Sequence, residues 1–161
     1  ALQAISVLAA MAPADAIGGG GTMTSVADVE AGHGAGGRLM VSPNCNPAVI
    51  ARAVALGMLA APGVATPTEA FNALGAGAHA LKIFPAEMVG MAGLKAIKTV
   101  LPDGTALWPV GGITPESLDA WRAAGATGFG IGSQLFSPGM TQEALAVSAR
   151  RYLAAWQRGA A

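Results

Sequence analysis

Cysteine occurs once in this chain, at Cys45, which excludes an internal disulfide framework and fits a reducing, cytoplasmic compartment. Aromatic residues make up only 5%, too few for the stacking platforms of single-stranded nucleic-acid binders. Nine Lys and Arg balance nine Asp and Glu, so the charge footprint of a nucleic-acid or anionic-membrane protein is missing. No apolar run reaches about 18 residues, and no membrane-spanning helix is expected. The apolar start, residues 1–11, has no basic segment before it. It reads as a helix rather than a signal peptide. His33 and His79 show no metal-ligand spacing with Cys45 and read as structural or surface residues. Ser133 lacks the His and Asp partners of a hydrolase triad.

What is abundant is small and apolar. Hydrophobic residues make up 53% and charged residues 11%, which supplies a core and excludes disorder. The 161 residues fit one domain, 1–161. The 23 glycines point to close, small-residue packing.

Short apolar runs alternate with Ala-rich segments. Runs at 16–22, 39–43, 59–62, 80–84, 106–111 and 128–132 read as strands. Their starts lie roughly 20–26 residues apart, the length of a βα unit. Helix starts fall between them: Ser25 with Asp28, Asn46-Pro47, Thr66-Pro67-Thr68-Glu69 and Thr114-Pro115-Glu116. Gly57, Gly77 and Gly125 stand where helix C-caps belong. The order is α-(βα)6, with strands buried on both faces, so the sheet is parallel. Glycines end several strands, which favours a (β/α)8 TIM barrel. A doubly wound sheet would carry one dinucleotide loop on one strand. About six of the eight units of a full barrel are read here, so a partial barrel, short at its front, is expected.

Lys82 carries the most chemistry. It stands in the apolar run Ala80-Leu81-Lys82-Ile83-Phe84-Pro85, where desolvation lowers an amine's pKa and frees a nucleophile for carbonyl carbons. Alternation puts Lys82 and Phe84 on one face and Leu81 and Ile83 on the other. Two readings stand: a Schiff-base lysine inside a barrel, or a lysine snorkelling from a strand end. Gly111-Gly112 and Gly132-Ser133 end the last two strands. Their bare amides either form an anion nest, where barrels often bind phosphate, or make tight turns that need glycine. The hydroxyl of Thr22 follows a four-glycine run and suits a carboxylate or hydroxyl. Pro43 and Pro62 end the following strands as pocket wall or as ordinary turns. Met88 and Met91 line a loop or the core.

The motifs Leu81-Lys82-Ile83-Phe84-Pro85-Ala86-Glu87 and Gly93-Leu94-Lys95-Ala96 resemble the class I aldolases of 2-keto-3-deoxy-6-phospho-sugar acids. So do Gly19-Gly20-Gly21-Thr22, Val41-Ser42-Pro43-Asn44, Pro62-Gly63-Val64-Ala65-Thr66-Pro67-Thr68-Glu69, Val110-Gly111-Gly112 and Gly132-Ser133. The resemblance covers essentially the whole chain in order. Val110, where the gluconate branch carries Thr, and Ser137-Pro138-Gly139 are more similar to the galactonate branch. The resemblance implies cleavage to pyruvate and D-glyceraldehyde 3-phosphate, no metal or organic cofactor, and a homotrimer of barrels. It implies Lys82 as the Schiff-base lysine, Phe84 as the aromatic beside it and Thr22 near the pyruvate carboxylate. Pro43 and Pro62 become pocket wall; Gly111, Gly112, Gly132 and Ser133 become the phosphate site.

The family's general acid/base Glu and its substrate-binding Arg residues belong to the first two strands, which precede the start of this chain. A truncated member is therefore expected. Aldol turnover should be weakened by the loss of a group worth about 10²–10⁴-fold. Glu87 is expected to serve local loop structure. Cleavage of the gluconate epimer, a non-catalytic phosphate-sugar binder, and a subunit completed by a partner are the competing expectations.

Overall fold

The computed structural model describes residues 1–159. The described residues fold as two compact units: residues 1–82 with 101–105, and residues 83–100 with 106–159.

The first unit opens with helix α1, Leu2–Met11, in which only Ile5 is buried. Strand β1, Gly19–Gly20, follows, then α2, Val26–Gly34, β2, Leu39–Val41, and α3, Pro47–Ala55. Next come β3, Leu59–Ala61, β4, Gly63–Val64, and α4, Pro67–Gly75. The strand β5, Leu81–Ile83, runs across the boundary of the units.

Three helix starts follow from local chemistry. Ser25 accepts from the Asp28 amide at 3.1 Å, and the Asp28 carboxylate accepts back from the Ser25 amide at 2.9 Å. This capping box, whose hydrogen bonds hold the Asp28 carboxyl below its usual range, satisfies amides that the first turn leaves unpaired. Thr66 and Glu69 build the same box on α4. Asn46 caps α3 by accepting from the Ala48 amide at 3.1 Å, with Pro47 at the first helical position. Strands β1, β2 and β3 form a parallel sheet in that order, with Gly19 opposite Leu39 and Met40 opposite Ala60. The core beneath it uses Val29, Met40, Ile50, Ala53 and Ala60, all fully buried.

The second unit holds α5, Ala86–Lys98, β6, Leu107–Pro109, α6, Leu118–Ala124, and α7, Gln142–Arg158. Helix α5 breaks at Gly90, whose φ of 68° and ψ of 169° leave the helical region. Met88 and Met91 on it are exposed, so neither belongs to the core. The Val110 amide donates to the Ile83 carbonyl at 3.0 Å. Val110 pairs in turn with Gly130 in a parallel bridge. Helix α7 is anchored by Tyr152, whose buried hydroxyl donates to the Ile113 carbonyl at 2.8 Å. Arg122 donates to the Ala155 and Trp156 carbonyls and stacks 4.3 Å above the Trp156 ring.

Three sequence expectations change. The run 128–132 is a single bridged position rather than a strand, because Gly128, Gly130 and Gly132 offer no side chains to pack. The run 16–22 contracts to two paired residues for the same reason. Thr114 does not cap a helix. The Ser117 hydroxyl accepts from the Thr114 amide and donates to its carbonyl, closing a turn, and α6 begins only at Leu118. His79 has a structural task, accepting the Ala60 amide on Nδ1 at 3.1 Å. Among the described residues no helix is long and apolar enough to cross a membrane.

Candidate active site

In the first unit, Lys82 occupies the centre of β5. Leu81 is fully buried beside it, while Lys82 is half-buried. The Lys82 amide donates to the Pro62 carbonyl at 2.9 Å. This bond fixes the height of Lys82 relative to the end of β3. Partial burial pulls the Lys82 amine below its ordinary pKa, because desolvation penalises the ammonium. A larger share of neutral amine is therefore present near neutrality than on an exposed lysine.

The neighbouring strand ends are held by backbone. Gly63 packs so tightly on the Pro43–Asn44 peptide that a Cβ there would stand 2.4 Å from the Pro43 carbonyl carbon and oxygen. No other residue permits that approach. Ser42, a buried polar residue, donates from Oγ to the Asn44 carbonyl at 2.7 Å and closes the turn that presents Pro43. Thr22 follows β1 in the left-handed region, with φ of 63°. That conformation is costly for a β-branched side chain, on the order of 1–3 kcal/mol. The Met23 amide, donating to the Val41 carbonyl at 3.0 Å, pins it to the end of β2. Pro43, Pro62 and Lys82 are thus linked by successive backbone contacts, and Thr22 joins them through Val41.

In the second unit, Phe84 follows Ile83 and is half-buried. The Ala86 amide donates to the Val110 carbonyl at 2.9 Å, which ties this segment to the end of β6. Gly111 and Gly112 come next, with φ of 113° and 61°. The Val110–Gly130 bridge brings Gly132 and Ser133 to the same end. Among the described residues, the amides of Gly111, Gly112, Gly132 and Ser133 donate no hydrogen bond. Free amides on successive turns are the donors an anion needs.

One neighbour of the glycine pair is not legible from spacing. The Glu87 carboxylate, in the first turn of α5, lies against both glycine Cα atoms. A Cβ on Gly111 would fall 2.3 Å from its Oε2, and one on Gly112 would fall 2.9 Å from its Oε1. Its position five residues after Lys82 was the only signal, and it did not reveal the contact. Among the described residues there is no group of three or more His, Cys, Asp or Glu placed to hold a metal ion.

The family profile described as "Aldolase: KDPG and KHG aldolase" matches residues 1–148. The probable 2-dehydro-3-deoxy-6-phosphogalactonate aldolase of Rhizobium meliloti (strain 1021) is 46% identical over 139 residues, 86% of this chain and 66% of that protein. The 2-dehydro-3-deoxy-6-phosphogalactonate aldolase of Escherichia coli (strain K12) is also 46% identical over 139 residues, 86% of this chain and 68% of that protein. A solved structure described as native KDPGal superposes with a TM-score of 0.94 at 42% identity, covering 97% of this chain and 76% of that one. The chain thus spans about two thirds of the length of these curated relatives. Its parallel α/β architecture is that of the (β/α)8 barrel class.

Proposed function

This chain belongs to the KDPG and KHG aldolase family, and from that premise we propose that it is a class I aldolase. Its substrate is 2-dehydro-3-deoxy-6-phosphogalactonate and its products are pyruvate and D-glyceraldehyde 3-phosphate. The observation that carries the reading is Lys82, an amine drawn below its ordinary pKa in a strand whose neighbouring side chains are fully buried.

The neutral Lys82 amine attacks the C2 ketone, and loss of water gives an iminium. The iminium accepts the electrons of the C3–C4 bond as the C4 hydroxyl passes its proton to solvent water and C4 becomes the aldehyde. The C3 enamine then takes a proton, and hydrolysis releases pyruvate and restores the amine. Thr22 serves the carboxylate end. Pro43, Pro62 and Phe84 supply apolar wall around the 2-oxo acid, which strengthens electrostatic effects by excluding water. Gly111, Gly112, Gly132 and Ser133 take the phosphate on their free amides. The chemistry so written asks for no metal or organic cofactor. We extend the reading to a cytoplasmic homotrimer, in keeping with the lone Cys45 and with the family resemblance.

Pyruvate release, followed with each C4 epimer of the phosphorylated substrate, tests the assignment. The galactonate-derived epimer should be cleaved with the higher kcat/KM. Preference for the other epimer would move the assignment to 2-dehydro-3-deoxy-6-phosphogluconate. Binding of both epimers with no pyruvate from either would make the chain a phosphate-sugar binder.

A further inference from the structure

We propose that Glu87 is a specificity-determining gate on the Gly111–Gly112 turn, admitting a phosphate tethered to bound substrate while rejecting free phosphate. The inference rests on the reading of that turn as the phosphate seat. It adds a residue with no assigned role in that reading.

Glu87 lies with its carboxylate on the Cα faces of both glycines, within the volume that a side chain at either position would fill. An anion approaching the free amides of this turn meets a like charge beside them. No salt bridge among the described residues engages Glu87, so no fixed cation cancels that charge. The two turns themselves contain no Lys or Arg. Glu87 is exposed and sits near the break of α5 at Gly90, so its side chain has room to swing aside.

The consequence differs for two kinds of phosphate. A phosphate on a substrate already held at its 2-oxo end arrives at high effective concentration and displaces the carboxylate. Inorganic phosphate has no such tether and faces the repulsion unaided. A catalyst working in a phosphate-containing cell is thereby protected from occupation of its anion seat by the free ion. The glycines contribute directly. Any Cβ at either position would collide with Glu87 as well as strain a positive φ.

The test uses the whole chain, inorganic phosphate as the probe, and Glu87→Gln, a near-isosteric change at an exposed position. Phosphate binding, read by titration calorimetry or amide NMR shifts, should tighten roughly tenfold in Glu87→Gln, the order that Coulomb's law gives for a unit charge about 4 Å from the ion in the water-like surroundings of an exposed side chain. The gain should shrink as salt rises. KM for the phosphorylated substrate should fall as well, because its phosphate displaces the same carboxylate. Glu87→Asp keeps the charge, and its phosphate affinity should stay near that of the parent. Unchanged or weaker phosphate binding in Glu87→Gln overturns the gate, as does equal tightening in Glu87→Asp. Borohydride trapping of pyruvate on Lys82 separates the two readings. Trapping without phosphate tightening sinks the gate alone, whereas tightening without trapping sinks the aldolase reading and leaves the gate standing.

Discussion

Replacing Gly63 by Ala isolates a single steric contact at the candidate site. Gly63 is buried, and its φ lies outside the left-handed region, so the backbone conformation itself accepts Ala. The added Cβ would stand 2.4 Å from the Pro43 carbonyl carbon and oxygen and 2.9 Å from the Asn44 nitrogen. Ordinary contact starts near 3.4 Å, so the Pro43 peptide must retreat by about 1 Å. Its retreat is opposed by the Ser42 hydroxyl, which holds the Asn44 carbonyl at 2.7 Å. Overpacking of this kind costs about 1–3 kcal/mol. The lower chain entropy of Ala returns about 0.4–1 kcal/mol. The net loss is about 1–2 kcal/mol, or about 0.5–1 M in urea midpoint for m near 2 kcal/mol/M. The same shift moves Pro43 and Pro62, and through the Pro62 carbonyl it moves Lys82. The rate of pyruvate trapping should therefore fall as well, by up to about 10²-fold for a 1 Å displacement. Gly75→Ala in α4 is the control. Nothing lies within 4 Å of the added methyl, so that variant should be slightly stabilised. If Gly63→Ala matches the parent in urea midpoint and trapping rate, the close approach of these strand ends is not what positions Lys82.

The remaining predictions concern titration and capping. Lys82 has a folded pKa below its ordinary 10.5, so the unfolded chain binds more protons between the two values and stability rises with pH through that window. Lys82→Met should remove this dependence, seen as a flattened urea midpoint relative to the parent as pH rises toward 10.5; identical slopes would contradict the burial argument. Thr66→Ala should cost about 1 kcal/mol by breaking the box on α4, read by urea denaturation followed by far-UV circular dichroism. Hydrogen bonds, led by the one from the Ala65 amide, hold the Glu69 carboxyl below 4.5. Its contribution is present above the unfolded value and is lost as pH falls through the folded one. The stability gap between parent and Glu69→Gln should therefore narrow in acid; a gap that persists at low pH would show that the carboxylate's charge is not what matters.

The sequence was most informative where function depends on neighbours close in the chain. Thr66-Pro67-Thr68-Glu69, Ser25 with Asp28, and Asn46-Pro47 carry their helix starts locally, and the structure forms each one. The alternation Leu81-Lys82-Ile83 yields the buried, half-buried, buried pattern that periodicity requires. Thr114 misleads because Ser117 offers the backbone a rival hydrogen bond, which composition does not weigh. Glycine content alone does not distinguish the break at Gly90 from a turn, and the two residues of β4 are too short a run for periodicity to reveal. The two least legible features were the Gly63–Pro43 approach and the Glu87 contact with Gly111 and Gly112. Both join residues many positions apart, and neither residue type announces its partner.

We assign to Lys82 the role of nucleophile in a class I aldolase. Its most direct test is borohydride reduction in the presence of pyruvate, with the modified residue located by peptide mass. One reduced pyruvyl adduct is expected, on Lys82, forming faster as pH rises toward the lowered pKa and absent in Lys82→Met. No adduct in the folded protein, or an adduct on Lys95 or Lys98 with Lys82 untouched, would contradict it.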